Sequence, residues 1–314
     1  MRALISALIL CISTVVSATT LNKFVVFGDS LSDNGNLYEY LKHQLPMSPP
    51  YYDGRFTNGP VWIESLIGSY YPASSTKEHF LDYAFGGAPL EDVDGDTLFT
   101  LRSQLDNYFL THQNSADANS LYVIWIGSND YLNLPEDLNG YNAEETVQPI
   151  MASMHRSLKR LVDNGAKHIL ILNLPDLGRT PIARDFAAET ELSASSTRHN
   201  ELLLADVEAF KVSNPDVQWL YFDIRSALDE MLTSPAQFGF TNVTDTCYEA
   251  ASEEPSVHTV LNMVSSIRVG KVGLHKNACD GFLFFDPVHP SQAAHRLLAK
   301  RVRNLLDEAD VHFE

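Results

Sequence analysis

Four stretches of the chain are almost uninterrupted apolar runs: Phe24 to Phe27, Leu121 to Ile126, His168 to Leu174 and Val217 to Phe222. Runs of this length without polar alternation predict strands buried on both faces, as in a parallel sheet covered by helices. A shorter apolar segment, Phe80 to Phe85, precedes the pair Gly86-Gly87. Helical spacing separates these runs. Trp62, Ile63, Leu66 and Ile67 recur with period 3.6 behind Asn58, read as N-cap, and Pro60 in the first turn. Asn142 and Glu145 form a capping-box-like start to a helix ending near Gly165, striped by Val147, Ile150, Met151, Met154, Leu158, Leu161 and Val162. Leu192, His199, Leu203, Val207 and Phe210 share one side of a long helix. A last helix after Pro290 turns Ala294, Leu298, Val302 and Leu305 inward, with Lys300, Arg301 and Arg303 expected to complement its C-terminal dipole. Strands alternating with helices predict right-handed crossovers and a three-layer α/β/α sandwich around a doubly wound parallel sheet.

Residues from Pro235 to Phe285 break this rhythm, showing no sustained period and carrying Glu249, Glu253 and Glu254 near Pro255. The segment reads as an insertion, a lid or flap, within one domain spanning 19–314. The chain holds no internal repeat and no extended linker. The first residues form a secretory leader: Arg2 is its positive end, Ala3 to Val16 are mostly apolar, and Val16-Ser17-Ala18 offers small residues for cleavage. The expected signal peptide is therefore 1–18, with the mature chain starting near Thr19 and secreted. The apolar run is too short to remain as a membrane span.

Removing the leader takes Cys11 with it and leaves Cys247 and Cys279, which in a secreted protein are expected to pair. No cysteine or histidine spacing suggests a zinc site. The formal net charge of −18 argues against nucleic acid and against a polybasic grip on anionic lipid, since both need clustered Lys and Arg. Zwitterionic or neutral lipid stays open.

Candidate chemistry sits at the ends of the predicted strands. Phe24 to Phe27 stop at Gly28 and put the Ser30 hydroxyl at a strand's carboxyl end, where open α/β sheets place their ligands. Alone, this serine could equally cap the next helix, and Gly86-Gly87 could be a tight turn. Gly127-Ser128-Asn129-Asp130 closes another strand with a side-chain amide. Ester hydrolysis by serine needs a base, a carboxylate to orient it, and donors aimed at the oxyanion. Of the eleven histidines only His289 is preceded three residues earlier by Asp, in Asp286-Pro287-Val288-His289. Base and orienter could thus share one loop. The expected oxyanion donors are the N–H groups of Ser30 and Gly87 and the side-chain amide of Asn129. The Gly-x-Ser-x-Gly elbow of the α/β-hydrolase fold is absent, because Ser32 stands where the second glycine would be.

Gly28-Asp29-Ser30-Leu31, continued by Asp33, Gly35 and Asn36, then Gly86-Gly87, Gly127-Ser128-Asn129-Asp130 and Asp286-Pro287-Val288-His289 stand in the order of the four blocks of the GDSL, or SGNH, hydrolase family, which the chain resembles. The resemblance implies a flavodoxin-like sandwich, Ser30 as nucleophile, Gly87 and Asn129 in the oxyanion hole, Asp286 as orienter, His289 as base, and neither metal nor organic cofactor. Asp82 departs from the pattern, many relatives having Asn there. The run Tyr52 to Pro60 resembles the secreted bacterial lipolytic branch, including lysophospholipases A and glycerophospholipid–cholesterol acyltransferases, in which a disulfide-closed loop can restrain the enzyme until it is cut. This implies a lipid partner, a lysophospholipid or other fatty-acyl ester, with acyl transfer to an alcohol as a second outcome. An activating protease would act within Glu249 to Val260. The alternatives are a carbohydrate or short-chain acyl esterase, a binding module on a hydrolase scaffold and, more remotely, a metal-dependent phosphoesterase.

Overall fold

The computed structural model describes residues 19–91, 98–132, 138, 140–247, 250–251, 268–269 and 279–314. Residues 1–18, read above as a leader, most of the expected insertion and nearly all of the acidic segment Glu249 to Val260 lie outside the described residues. The strands are β1 (Thr19–Leu21), β2 (Lys23–Gly28), β3 (Phe80–Asp82), β4 (Ser120–Trp125), β5 (His168–Leu172), β6 (Gln218–Phe222), β7 (Asn242–Thr246), β8 (Ala250–Ala251), β9 (Arg268–Val269), β10 (Phe282–Phe284) and β11 (Val311–Phe313). The helices used below are α1 (Asn36–Tyr40), α2 (Trp62–Ile67), α3 (Leu101–Thr111), α4 (Asn129–Leu132), α5 (Ala143–Asp163), α6 (Pro181–Asp185), α7 (Glu189–Ser213), α8 (Ile224–Thr233) and α9 (Gln292–Glu308).

The central sheet has five strands in the order β3-β2-β4-β5-β6, every pair parallel. The apolar runs are continuous because alternate residues serve opposite cores. Val25, Phe27, Tyr122, Ile124, Ile169 and Ile171 pack with residues of α3, α5 and α7, while Phe24, Val26, Leu121, Val123, Leu170 and Leu172 pack with α2, α8 and α9. Helices therefore cover both faces. The strand order reverses between β2 and β4, the switch point outside whose carboxyl ends doubly wound sheets bind ligands.

Two helix boundaries differ from the pattern-based reading. Asn58 does not cap α2, whose N-cap is Val61; its Oδ1 instead accepts the Gln292 N–H at 2.8 Å, at the first turn of α9. Lys300, Arg301 and Arg303 do not complement the end of α9, because the helix continues to Glu308 and its last turn holds no basic residue. Arg301 pairs instead with Glu230, and Arg303 with Asp307. Strands β1 and β11 pair in parallel and join the two ends of the described chain, a contact that local pattern does not announce. Cys247 and Cys279 form the expected disulfide, with Cα atoms 5.1 Å apart, beside the parallel β7–β10 pair. Among the described residues no helix is long and apolar enough to cross a membrane.

Candidate active site

At Gly28, the end of β2, only glycine fits: a Cβ would lie 2.8 Å from the Trp125 carbonyl oxygen of β4. Gln104 of α3 finishes the strand by accepting the Gly28 N–H at 2.9 Å and donating to its carbonyl at 2.8 Å. The chain then turns, and Ser30 is set at the switch point, 4% exposed. Its Oγ lies 2.7 Å from His289 Nε2, and His289 Nδ1 lies 2.7 Å from Asp286 Oδ2. The 286–289 loop is braced from within: Asp286 Oδ1 accepts the N–H groups of Val288 and His289 at 2.8 and 2.7 Å. Burial pushes the Asp286 carboxyl up, but the adjoining imidazole, the backbone N–H of His289 and the Tyr51 hydroxyl outweigh it and hold its pKa below the ordinary value. The phenol of Tyr51 donates to Asp286 Oδ2 at 2.7 Å. Phe56 packs its ring against the His289 imidazole, with centroids 5.3 Å apart.

The proposed oxyanion donors are close in the fold. Asn129, at the start of α4, donates one amide hydrogen to the Ala88 carbonyl at 2.8 Å, and no acceptor among the described residues takes its second. Phe85 to Ala88 form a turn closed by the Ala88 N–H on the Phe85 carbonyl at 3.1 Å, with Gly87 at φ +77°. No acceptor among the described residues takes the N–H of Ser30 or of Gly87. Ser30 and Asn129 share one cleft; Gly87 is not in its wall but adjoins the residue that Asn129 holds.

That cleft, of about 750 Å³ including its open mouth, runs from Ser30 past Leu177, Ile224, Leu228, Met231, Phe284 and Leu298. Ile224 and Leu298 belong to the face covered by α8 and α9, whereas Leu177 packs with the core on the other face. Two buried titratable groups, Asp29 and His295, also line it. Burial raises the Asp29 pKa to about 7, against the Leu31 N–H that its carboxylate accepts. His295 accepts the Trp62 N–H at Nδ1 (3.1 Å), so its remaining proton belongs on Nε2. Burial lowers its pKa to about 3. No cluster of His, Cys, Asp and Glu set to hold a metal occurs among the described residues.

Sequence reasoning named Ser30, Gly87, Asn129, Asp286 and His289 but missed Tyr51, Asp33 and Asp82 as supports. Tyr51 lies in a loop rich in Pro and Tyr, and the carboxylate it bonds is more than two hundred residues further along the chain. Asp82 shows what its departure from the family pattern does: its carboxylate accepts the N–H groups of Ala84 and Asn34 at 2.9 and 3.2 Å, joining the loop after β3 to the loop after β2.

A parallel doubly wound sheet with a serine, an imidazole and a carboxylate in hydrogen-bonded series at its switch point defines the class, a serine hydrolase. Comparison narrows it. Residues 24–302 match the family model described as GDSL-like Lipase/Acylhydrolase, and the chain belongs to that family of ester hydrolases. A phosphatidylcholine-sterol acyltransferase of Aeromonas hydrophila is 30% identical over 97% of this chain and 96% of its own. A thermolabile hemolysin of Vibrio parahaemolyticus is 28% identical over 90% of this chain, and a secreted effector protein of Salmonella typhimurium 27% over 90%; the match spans 63% of each of these relatives. An acetyl-xylooligosaccharide esterase mutant from Geobacillus stearothermophilus has the same fold, with a TM-score of 0.50 at 15% identity over 92% of this chain and 96% of that one.

Proposed function

We propose that the protein is a secreted lysophospholipase A in which Ser30 is the nucleophile, His289 the general base and then acid, and Asp286 the group that orients the imidazole. The observation that carries this reading is the Ser30–His289–Asp286 series beside a mostly apolar cleft. His289 Nε2 takes the Ser30 proton as Oγ attacks the acyl carbonyl carbon. The oxyanion of the tetrahedral intermediate then rests on the N–H groups of Ser30 and Gly87 and on Asn129 Nδ2. His289 returns the proton to the departing glycerol oxygen, and water repeats the sequence on the acyl-enzyme to release a fatty acid. The cleft suits one acyl chain, and the net charge of −18 favours a zwitterionic over an anionic head group.

Acyl transfer to an alcohol is the second reading, favoured by the near full-length similarity to the Aeromonas acyltransferase. In the same proposal the leader 1–18 directs export, residues 19–314 form one domain, and cutting the disulfide-closed loop between Cys247 and Cys279 uncovers the site. Pure protein should release fatty acid from lysophosphatidylcholine, and Ser30→Ala should not. Hydrolysis of acetyl esters or acetylated sugars without that release would overturn the lipid reading in favour of a carbohydrate or short-chain esterase. A serine inert to fluorophosphonates would favour a binding module.

A further inference from the structure

Asp33 is fully buried, and the hydrogen bonds its carboxylate accepts all come from backbone N–H groups. Four N–H groups converge on its two oxygens. Oδ1 accepts from Gly35 and Asn36 at 2.8 and 2.6 Å; Oδ2 accepts from Leu37 at 3.2 Å and from Gly86, 53 positions further along the chain, at 2.7 Å. Three of these bonds are local and shape the turn into α1. The fourth crosses from the loop that carries Ser30 to the loop that carries Gly87. Asn36 adds to the straps between the same loops, donating its amide to the carbonyls of Asp82 and Ala84 at 3.1 and 2.9 Å.

We infer that Asp33 is a positioning residue for ester hydrolysis: by holding the Gly86 N–H it sets the neighbouring Gly87 N–H at a fixed place relative to Ser30, so that both donors meet the oxyanion together. The inference rests on the proposed role of Gly87. Only a carboxylate can serve, because an amide offers an acceptor at one end alone. In Asp33→Asn the remaining oxygen can keep the two shorter local bonds, while the new NH₂ faces the Leu37 and Gly86 N–H groups. The turn survives and the link to Gly86 is lost. The Phe56 ring packs closely against this turn: a Cβ built on Gly86 would lie 2.3 Å from it. A donor misplaced by a fraction of an ångström in a site that excludes water weakens the transition state more than the ground state.

The test is steady-state hydrolysis of a soluble p-nitrophenyl acyl ester, together with inhibition by an alkyl trifluoromethyl ketone, which forms a tetrahedral adduct on the serine. Asp33→Asn should lower kcat by about tenfold to a hundredfold and leave KM within about twofold. Its inhibition constant for the ketone should rise by the same factor, a readout that a purely structural role would not move in step. Asn36→Ala, which spares Asp33, should act in the same direction and more weakly, and it carries the test if Asp33→Asn does not fold. Wild-type kcat in the folded variants, or a fall in kcat with an unchanged ketone constant, overturns the positioning role. Ser30→Ala and Asn129→Ala run beside them: if those two keep full turnover, the proposed active site fails, whereas their loss with an undisturbed Asp33→Asn removes the inference alone.

Discussion

Tyr51 and His289 donate to the same oxygen, Oδ2 of Asp286, each at 2.7 Å, from loops more than two hundred residues apart in the chain. The phenol helps keep a fully buried carboxylate charged beside the imidazole. Tyr51→Phe removes one charge-assisted hydrogen bond, worth about 1.5–3 kcal/mol where it is made to a charged group. The expected result is a kcat lowered by about tenfold to a hundredfold with unchanged fluorophosphonate selectivity for Ser30. Wild-type kcat in this variant would show that the phenol does not matter to the carboxylate's charge.

Asp286→Asn leaves the shape of the loop but offers His289 Nδ1 the wrong partner. In a Ser-His-Asp series this favours the unproductive tautomer, and a loss of about ten-thousandfold in kcat is expected. Circular dichroism should be unchanged. A loss smaller than tenfold would remove Asp286 from the proposed relay.

Met231 is buried on α8 and lines the cleft with Leu228. If the acyl chain lies there, Met231→Trp fills its path and should shift selectivity from long to short acyl esters by at least about tenfold, as expected for lost methylene contacts in an apolar pocket. Competition between two p-nitrophenyl esters of different length measures the ratio directly. An unchanged ratio places the chain elsewhere.

His199 is fully buried, bonded to the Tyr131 hydroxyl at Nδ1 (2.9 Å) and without a partner at Nε2 among the described residues. Burial lowers its pKa from 6.5 to about 3. A folded-state pKa below the unfolded one means that its contribution to stability is complete above pH 6.5 and is lost as pH falls towards 3. Relative to His199→Gln, the wild-type protein should therefore lose about 1.4 kcal/mol per pH unit through that window. Urea unfolding at pH 7, 6 and 5 checks this, and parallel curves for the two proteins would contradict it.

Replacing Cys247 and Cys279 by serine opens a loop with a sequence separation of 32. In the chain-entropy model this costs roughly 3 to 4 kcal/mol, which in a protein of this size is a fall of several degrees in Tm. Proteolysis inside an intact disulfide should instead leave the fragments joined and raise turnover. Equal turnover before and after cutting would end the proposal that the loop restrains the enzyme.

What the chain's own pattern determined was the strands of the central sheet, the burial of its inner ones on both faces, and hence the doubly wound sandwich, because period and apolar continuity are local properties. Ser30, Asn129, Asp286 and His289 were legible for a similar reason: each stands in a short run at the end of a predicted element. Proximity was not. That Ser30 and His289 lie 2.7 Å apart is decided by the crossing order β3-β2-β4-β5-β6 and by α9 packing beneath the sheet. The same holds for Tyr51 on Asp286, Asn58 capping α9 and Asp33 reaching Gly86. Each is a hydrogen bond between residues distant in the chain, and no run of neighbouring side chains encodes such a bond; it exists only once the two loops have been brought together and water has been driven out from between them.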